Sequence, residues 1–462
     1  MLMRLHVQGF KNLLDVEVYF GPFTCIAGLN AVGKSNLFDA IRFLHLLTQK
    51  HSIMEAVQAL RDTHGRVPQP SDLFTKLKGY TAPEMRFIAD LIVDREVADD
   101  FGVKAKASIS TLRYEVAFGL NDNDMLELIY ESLNPMKRSE ARQSVAFDRK
   151  PPFLQSIISG RRTTPFISTS SEAEITVHQE GHGGRKLPAP NSSRTILGGT
   201  TIADFPTILA ARQEMSQWRT LLLEPSAMRA SSSYYDPQSI DVRGGNLANT
   251  IYRLIKQEKT PGQVCAELAN KLSTLVEDVR QVRIVSNDRF ESRTVEVQGS
   301  DGIYHPAHAL SDGTLRFLVL SVLDIDPDVR GMICLEEPEN GIHPDRVPVM
   351  LELLQDIAVD PSFEVNADNP MRQVVVNTHS PLVVGHTKPN DIIYMDSVRT
   401  PDARGHGTVA HLYVPPDSWR DRKTGGAHRV APGSLIAYLG APSGSQNWLN
   451  FMADGDDKAP MT

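Results

Sequence analysis

A glycine-rich segment near the start of the chain has the residues needed to surround a phosphate chain. Residues Gly28–Ser35 fit the pattern G-x-x-x-x-G-K-[ST], between a short apolar run and a stretch with helical periodicity. Glycines let backbone N–H groups wrap phosphates, and the following helix points its positive dipole end at them. Lys34 would add a charge near the β- and γ-phosphates, and the Ser35 hydroxyl could ligate Mg²⁺. We expect nucleotide contacts from Gly28, Asn30, Gly33, Lys34, Ser35 and Asn36.

Two adjacent carboxylates follow a second apolar run. Met332–Leu335 is predicted as a buried strand that delivers Glu336 and Glu337 at its C-terminal end. In a P-loop sheet this position holds Mg²⁺ and the attacking water. Glu336 matches the Mg²⁺-side carboxylate, and Glu337 matches the catalytic base or water-positioning residue. An acidic loop is the ordinary alternative, but a phosphate loop upstream favours the catalytic interpretation.

Two further signals gain meaning from their positions. His379 follows the apolar strand predicted at Gln373–Val376, where it could hydrogen-bond a γ-phosphate, although a lone histidine is usually structural or exposed. Ser311 and Gly313 open an apolar-periodic run, and Ser-Asp-Gly is also typical of an ordinary helix N-cap. Their spacing around the Glu336–Glu337 pair favours a functional interpretation of both.

The composition is that of a globular protein. The chain has 462 residues, of which 41% are hydrophobic and 23% charged, and its formal net charge is -8. This charge argues against a general polyanion binder, so a nucleic-acid surface would have to be a local patch. Residues 137–194 contain ten Lys or Arg against five Asp or Glu. This segment and Trp419–Lys423 could face DNA, RNA or an acidic protein, although a solvated surface is the commoner outcome.

Other features exclude several classes of protein. The three cysteines are far apart and lack disulfide or zinc spacing, which is typical of a reducing compartment. The histidines show no metal-ligand spacing, so Mg²⁺ is the one metal we expect. No apolar run approaches the ~20 residues needed to cross a bilayer. We therefore expect a cytoplasmic protein that does not bind membranes.

The elements that must position these groups change in type along the chain. Alternating strand patterns occupy much of residues 1–133, and the phosphate loop lies among them. Residues 134–300 are predicted as an inserted lobe, first loop-rich and then helical, with helical patterning at 208–223 and 246–276. Residues 301–400 return to compact α/β patterning, and 401–462 form a C-terminal extension. The predicted fold class is α/β, with a mixed sheet flanked by helices and a large, mainly helical or loop insertion.

Together these motifs resemble ABC-type ATPases of the RecF/SMC/OLD group, in particular AAA-domain ATPases of the OLD-like type. The resemblance rests on Gly9–Asn12, Gly28–Ser35, Leu310–Thr314, Glu336–Pro344 and Thr378–Ser380. It covers residues 1–133 and 205–396. It implies a P-loop NTPase head of the ABC type that binds ATP and Mg²⁺.

The resemblance also implies a particular assembly. Two heads would form a homodimer, or a higher even oligomer, with two ATP molecules between them. Lys34 and Ser35 of one subunit would bind ATP, and Ser311 and Gly313 of the other would complete the site. Ser35 and Glu336 would hold Mg²⁺, while residues 340–344 would lie at the interface. The γ-phosphate-sensing glutamine of the family is not assigned in this sequence.

The sequence departs from the family in two places. Glu336 replaces the usual Asp, although OLD-type members share Glu-Glu-Pro-Glu. OLD-type nucleases carry a metal-dependent Toprim domain after the histidine strand, whereas 83 residues follow His379 here. Asp454 and Asp456 lie in a polar terminus without a buried strand. We therefore expect no intrinsic nuclease and a separate effector, either a nuclease or a Toprim-like protein.

Three functions remain open at this point. The first is the sensor ATPase of a bacterial anti-phage system, similar to Septu or PARIS, with DNA or a phage protein as the trigger. The second is a RecF-like ATPase of DNA repair. The third is a nucleotide-binding subunit of a transporter, which the large insertion and the missing Leu-Ser-Gly-Gly-Gln signature make the weakest of the three.

Overall fold

The computed structural model describes residues 1–60, 69–170, 174–178, 184–188, 192–276, 278–400 and 406–430. Two principal sheets organise this part of the chain. The strands are β1 (Leu2–Phe10), β2 (Leu13–Tyr19), β3 (Phe23–Ala27), β4 (Lys76–Leu77), β5 (Tyr80–Thr81), β6 (Met85–Ile92), β7 (Glu96–Ala98), β8 (Lys104–Lys106), β9 (Thr111–Leu120), β10 (Leu126–Pro135), β11 (Ile167–Thr169), β12 (Glu174–His178), β13 (Gly184–Pro188), β14 (Arg219–Leu221), β15 (Ser232–Ser233), β16 (Gln281–Asn287), β17 (Ser292–Gln298), β18 (Tyr304–Pro306), β19 (Gly331–Glu336), β20 (Arg372–Thr378), β21 (Ile392–Thr400) and β22 (Gly407–Tyr413).

Helices lie between the two principal sheets and on the outer face of one of them. They are α1 (Lys34–Gln49), α2 (Ile53–Gln58), α3 (Arg138–Ser144), α4 (Pro151–Ile157), α5 (Ile196–Gly199), α6 (Pro206–Ser216), α7 (Pro225–Arg229), α8 (Leu247–Gln257), α9 (Gln263–Leu275), α10 (Asp312–Ile325), α11 (Val347–Ile357), α12 (Pro381–His386) and α13 (Trp419–Thr424). Among the described residues, no helix combines the length and apolarity that a bilayer crossing requires.

A six-stranded mixed sheet carries the predicted phosphate loop. Its order is β14-β19-β20-β3-β21-β22, in which the first five strands are parallel and β22 is antiparallel to β21. Successive side chains point to opposite faces, so in β19 Cys334 enters one hydrophobic core and Ile333 enters the other. Both faces are covered, which explains why β3 and β19 are mostly apolar and why β20 has the apolar centre Val374–Val376.

The second principal sheet is antiparallel, and α1 packs between it and the mixed sheet. Its order is β13-β12-β11-β10-β9-β6-β1-β2. The ring of Phe43 in α1 lies 6.3 Å from that of Phe10, 5.6 Å from Phe87 and 5.5 Å from Phe118, measured between centroids. All four rings are fully buried. This aromatic cluster fixes the helix that follows the phosphate loop against the antiparallel sheet.

A buried glutamine connects the two sheets. Gln373 of β20 donates from Nε2 to the carbonyl oxygens of Leu2 (2.8 Å) and Gly21 (3.1 Å). Its Oε1 accepts from the backbone N–H of Leu2 at 2.6 Å. Because Leu2 begins β1, these bonds join the mixed sheet to the antiparallel sheet in a fully buried position.

The predicted α/β class, with a mixed sheet flanked by helices, is confirmed. Two helix predictions needed correction. The helix expected over 208–223 ends at Ser216, and β14 follows because its pairing with β19 overrides the local pattern. The helical stretch expected over 246–276 is split into α8 and α9. Pro261 lacks an N–H, and Gly262 has a φ of 82°, so a continuous helix cannot pass through them.

The division at residues 133, 300 and 400 stays a prediction. Residues 134–300 contain the expected helices, but they also contain short strands that the sequence analysis did not predict. β11–β13 extend the antiparallel sheet, and β14 joins the edge of the mixed sheet. Strands of three to five residues show too little alternation to be recognised, and their pairing partners supply the missing information. Asp454 and Asp456 lie outside the described residues.

Replacing Gln373 with Leu tests the connection between the sheets. The variant loses three hydrogen bonds and leaves buried backbone groups of Leu2 and Gly21 short of partners, so we expect a destabilisation of about 2–4 kcal/mol. The measurement is the midpoint of urea unfolding. Gln263→Leu, at an exposed position in α9, is the matched control and should change stability by less than about 0.5 kcal/mol. Equal midpoints for the two variants would contradict the structural role.

Candidate functional site

Three neighbouring parallel strands end at the same edge of the mixed sheet. β20 lies between β3 and β19, with Thr378 opposite Ala27 and Asn377 opposite Glu336. The loop after β3, the residue after β20 and the acidic turn after β19 therefore meet at one place. The carboxyl edge of parallel strands is where ligands bind in open α/β sheets.

The phosphate loop leads directly into α1, whose first residue is Lys34. The Lys34 Nζ donates to the carbonyl oxygens of Gly28 and Leu29, each at 2.7 Å. Burial lowers the pKa of Lys34, and the negative charges of Glu337 and Glu339 oppose that shift. The ammonium group therefore lies over the loop and within electrostatic reach of the acidic turn.

Asn12 holds the phosphate loop from the antiparallel sheet. Its Nδ2 donates to the carbonyl oxygen of Val32 at 3.1 Å, and its Oδ1 accepts from Asn36 Nδ2 at 2.8 Å. Gly33 has a φ of 114°, and a Cβ there would lie 2.5 Å from the Asn12 amide. Asn12 belongs to one of the motifs that carry the family resemblance, but the sequence does not predict this contact. The contact joins elements that meet only in the folded chain.

Two other contacts complete the support of the loop. The Lys11 Nζ, beside Asn12, forms an ion pair with Asp39 Oδ2 at 2.6 Å and so reaches into the first turns of α1. On the opposite side, the loop approaches β21 so closely that a Cβ at Gly28 would lie 2.3 Å from the Met395 carbonyl oxygen. A larger residue at that position would displace the loop from the strand.

Glu337 is held at both carboxylate oxygens. Oε1 lies 2.8 Å from His379 Nδ1, and Oε2 accepts from Asn340 Nδ2 at 2.7 Å. The Glu337 backbone N–H donates to the carbonyl oxygen of Asn377 at 3.0 Å. Its φ of 45° lies in the left-handed region, which is strained for a non-glycine residue by about 1–3 kcal/mol. The predicted catalytic pair, Glu337 and His379, is therefore in direct contact, and Asn340 is an additional partner.

Glu339 is a second carboxylate that the sequence analysis did not single out. Its Oε1 accepts from Thr378 Oγ1 at 2.5 Å, which ties the acidic turn to β20. Its Oε2 is buried and has no hydrogen-bond partner among the described residues. Burial is the largest influence on this carboxyl group and raises its pKa, although the bond from Thr378 acts in the opposite direction.

Ser35 and Glu336 supply the oxygen atoms of the predicted magnesium site. Ser35 is exposed at the start of α1, and Glu336 is half-buried at the end of β19. A hydroxyl and a single carboxylate suit Mg²⁺, which commonly keeps waters and phosphate oxygens as its other ligands. The parts of the chain that the structure describes contain no group of three or more His, Cys, Asp or Glu suited to a metal ion.

The predicted signature residues lie at the start of α10, beside the turn that follows Glu337. The Ser311 Oγ caps α10 by accepting from the Thr314 N–H at 3.2 Å, and Gly313 lies against the backbone of Gly341. Arg229 donates to the Asp312 carboxylate and, at 3.1 Å, to the carbonyl oxygen of Leu310. These contacts attach the start of α10 to the turn after Glu337.

Most of the predicted site residues lie at one edge of the sheet, and Ser311 and Gly313 lie against the turn that follows Glu337. Lys34, Glu337 and His379 share one edge of the sheet, Asn36 supports the loop through Asn12, and Asn30 is exposed on the loop itself. Among the hydrogen bonds of the described residues, none joins Ser311 or Gly313 to this loop. The roles assigned to all these residues stay predictions.

Most of the chain matches the model of a known protein family. The family model described as "AAA domain, putative AbiEii toxin, Type IV TA system" matches residues 23–385. The chain belongs to this family. The match begins at the first residue of β3 and ends in α12, so it includes every predicted site residue. The expected membership of the AAA-domain ATPases is confirmed, and the finer likeness to OLD or Septu proteins stays a prediction.

Individual relatives of this AAA-domain protein share shorter or more distant similarity. The DNA replication and repair protein RecF of Parabacteroides distasonis is 40% identical over 65 residues, which is 13% of this chain and 18% of that protein. The chain thus matches less than a fifth of the length of this curated relative.

Solved SMC head domains resemble the chain over most of its length at low identity. The SMC head bound to the C-winged helix domain of ScpA is 13% identical, with a TM-score of 0.45 over 89% of this chain and 97% of that one. The SMC head of Thermotoga maritima is 11% identical, with a TM-score of 0.38 over 90% and 98%. The fold of this AAA-domain protein is described by its own strand order and does not rest on these TM-scores.

Asn12→Ala tests whether the antiparallel sheet holds the phosphate loop. The loss of the bonds to Val32 and Asn36 should weaken nucleotide binding by about 1–2 kcal/mol, or about 5- to 30-fold. The measurement is the dissociation constant of a fluorescent ATP analogue. Asn123→Ala, at an exposed hairpin tip, is the matched control and should bind like the unmodified protein. Unchanged affinity in the Asn12 variant would show that the loop holds its shape without this contact.

Proposed function

We propose that this AAA-domain protein binds ATP and hydrolyses it to ADP and phosphate with Mg²⁺. The observation that supports this most directly is the position of Glu337, held by His379 and Asn340 at the sheet edge that bears Lys34. A carboxylate fixed at both oxygens beside a phosphate loop is suited to orient a water molecule for in-line attack.

The proposed roles follow from the chemistry of each group. Lys34 neutralises the β- and γ-phosphates, while Ser35 and Glu336 hold Mg²⁺, which stabilises developing phosphate charge when bound. Glu337 accepts a proton from the attacking water. His379 contacts Glu337 through Nδ1, so its Nε2 is the ring nitrogen that can hydrogen-bond a γ-phosphate oxygen.

We further infer that two heads pair around ATP, as a homodimer or a higher even oligomer. Ser311 is exposed at the N-terminus of the fourteen-residue helix α10, whose first-turn N–H groups and dipole suit a phosphate. The hydrogen bonds of Ser311 do not reach its own phosphate loop, so a second copy is the natural source of the opposing Lys34. In this arrangement each site is complete only in the pair.

Glu337→Gln separates ATP binding from hydrolysis. The amide cannot accept the proton of water, so turnover should fall by at least about 100-fold while ATP binding persists and traps a dimer. Light scattering with MgATP should show a dimer for this variant and a monomer for Lys34→Ala, which lacks the phosphate-binding charge.

Pairing of heads also predicts that the ATPase rate per molecule of the unmodified protein falls when the protein is diluted.

Normal turnover by the Glu337→Gln protein would contradict the role of Glu337. A specific rate that does not change with protein concentration would contradict paired heads, even if hydrolysis is confirmed. His379→Ala serves as the companion variant, because it removes one of the two contacts to the Glu337 carboxylate and leaves the Asn340 contact in place.

The biological role that we propose is a sensor or regulatory ATPase in bacterial anti-phage defence, located in the cytoplasm. ATP-dependent pairing of heads would respond to DNA or to a phage protein and would control a separate nuclease or Toprim-like effector. The family description, which names a toxin of a type IV toxin–antitoxin system, supports a defence role. A regulatory switch needs a bistable element, and closure of heads around ATP can provide one.

A DNA-repair role is the second candidate. The similarity to RecF, at 40% identity over 65 residues, supports it. In this case the paired heads would clamp DNA, and no effector would be needed. The net charge of -8 makes a broad DNA-binding surface less suitable, although a local basic patch is compatible with it.

The neighbouring gene and two growth assays distinguish these roles. For defence, we expect an adjacent nuclease or Toprim-like gene, and co-expression of both genes should reduce plaque number at least about 10-fold. The Glu337→Gln protein should lose that protection. Adjacent replication genes, together with sensitivity to DNA damage after deletion and unchanged plaque counts, would favour repair.

A further inference from the structure

A cavity beside α3 and α4 is lined by cations. Its volume is about 350 Å³, within the range of about 300–1,000 Å³ that is typical of small-ligand sites. It lies apart from the phosphate loop and shares no lining residue with it. Its walls include Arg138, Arg142, Arg149, Lys150, Leu154 and Ile158.

The described part of the protein supplies no counter-ion to this cavity. Within the described ranges, none of its four cations lies within ion-pair distance of a carboxylate, and no acidic residue lines the cavity. Glu140, in α3, turns its Oε2 to the backbone N–H of Lys137 instead. Asp148 acts on Arg149 only at longer range and lines a neighbouring cavity. Like charges that share a cavity repel, so the site is suited to an anion.

Arg149 is the anchored member of the cluster. Its Nη1 donates to the Phe147 carbonyl oxygen at 3.0 Å, and its Nη2 donates to that of Arg142 at 3.2 Å. Its Nε is buried without a hydrogen-bond partner in the described part of the chain. Burial of this cation without a counter-charge is unfavourable, and it lowers the pKa of Arg149.

A second basic segment, distant in sequence, meets the first. Lys423 of α13 donates from Nζ to the carbonyl oxygen of Gln143, the residue next to Arg142. Arg422, on the same helix, is exposed. Lys423 of the second basic segment therefore lies beside α3, in the first, whereas Trp419, Arg420 and Asp421 of that second segment are buried.

We propose that this cationic cavity binds a phosphate group of single-stranded DNA. Guanidinium groups recognise phosphate by paired hydrogen bonds, and three of the four cations are arginines. The side chain of Leu154, which is partly exposed beside these cations, can contact the sugar or base next to that phosphate. The wider basic surface suits a polymer, because successive phosphates can reach Lys423. A role for this site in triggering the ATPase rests on the proposed function. The test of DNA binding itself does not depend on ATP turnover.

The test compares Arg138→Gln/Arg142→Gln with Arg280→Gln/Arg289→Gln, an equal change of charge at exposed positions elsewhere. The probe is a fluorescein-labelled 20-nucleotide single-stranded DNA, followed by anisotropy at several salt concentrations. We expect the cavity variant to bind at least about 10-fold more weakly and the magnitude of the slope of log K against log salt to fall by about 1.4. The control should stay within about twofold of the unmodified protein, and both variants should keep its ATPase rate.

Several outcomes would overturn the proposal. Equal losses in the cavity variant and the control would show a general charge effect. Displacement of the DNA by millimolar inorganic phosphate but not by unlabelled DNA would indicate an adventitious ion only. Loss of poly-glutamate binding in the cavity variant, with DNA binding intact, would identify an acidic protein partner. Failure of the proposed ATPase function would give a different result. The protein would not turn over ATP but would still bind DNA in a salt-dependent way.

Discussion

The parallel pairing of β20 with β3 on one side and β19 on the other is the constraint on which the site depends. Each strand is almost wholly buried, with both faces covered, so its register is determined by burial and by the backbone ladder. Because the three strands end at one level, a loop, a histidine and an acidic turn that are far apart in sequence become neighbours. Their separation along the chain exceeds 300 residues between Lys34 and His379.

Charges of opposite sign lie close together at this edge of the sheet. Lys34 lies over the loop carbonyls, and Glu337 and Glu339 lie within its electrostatic reach. The acidic turn is itself rigid, since His379 and Asn340 hold Glu337 while Thr378 holds Glu339. These contacts hold Glu337 in its strained backbone conformation. Preorganised polar groups of this kind favour catalysis, since they need little rearrangement as charge develops.

The antiparallel sheet supports the site and is more than an outer layer. Asn12 contacts the phosphate loop and the first turn of α1, while Phe43 embeds α1 in an aromatic cluster. Gln373 joins the same sheet to the strand that leads to His379. A displacement of the antiparallel sheet would therefore act on both the loop and the histidine strand. Such a connection is a physical route by which surfaces such as the cationic cavity could influence the nucleotide site.

The sequence by itself determined the local chemistry. The phosphate loop, the glutamate pair and the three apolar strands could be predicted because their patterns depend on nearest neighbours and on burial of whole strands. Membership of the AAA-domain family followed from the same motifs. Only the tertiary structure decided that Asn12 holds the loop, that Asn340 shares Glu337 with His379, and that Glu339 contacts Thr378. It also decided that residues 219–221 pair as a strand and that Lys423 joins the basic surface of α3. These contacts join residues that are distant in sequence or depend on a turn geometry, so no local period or spacing encodes them.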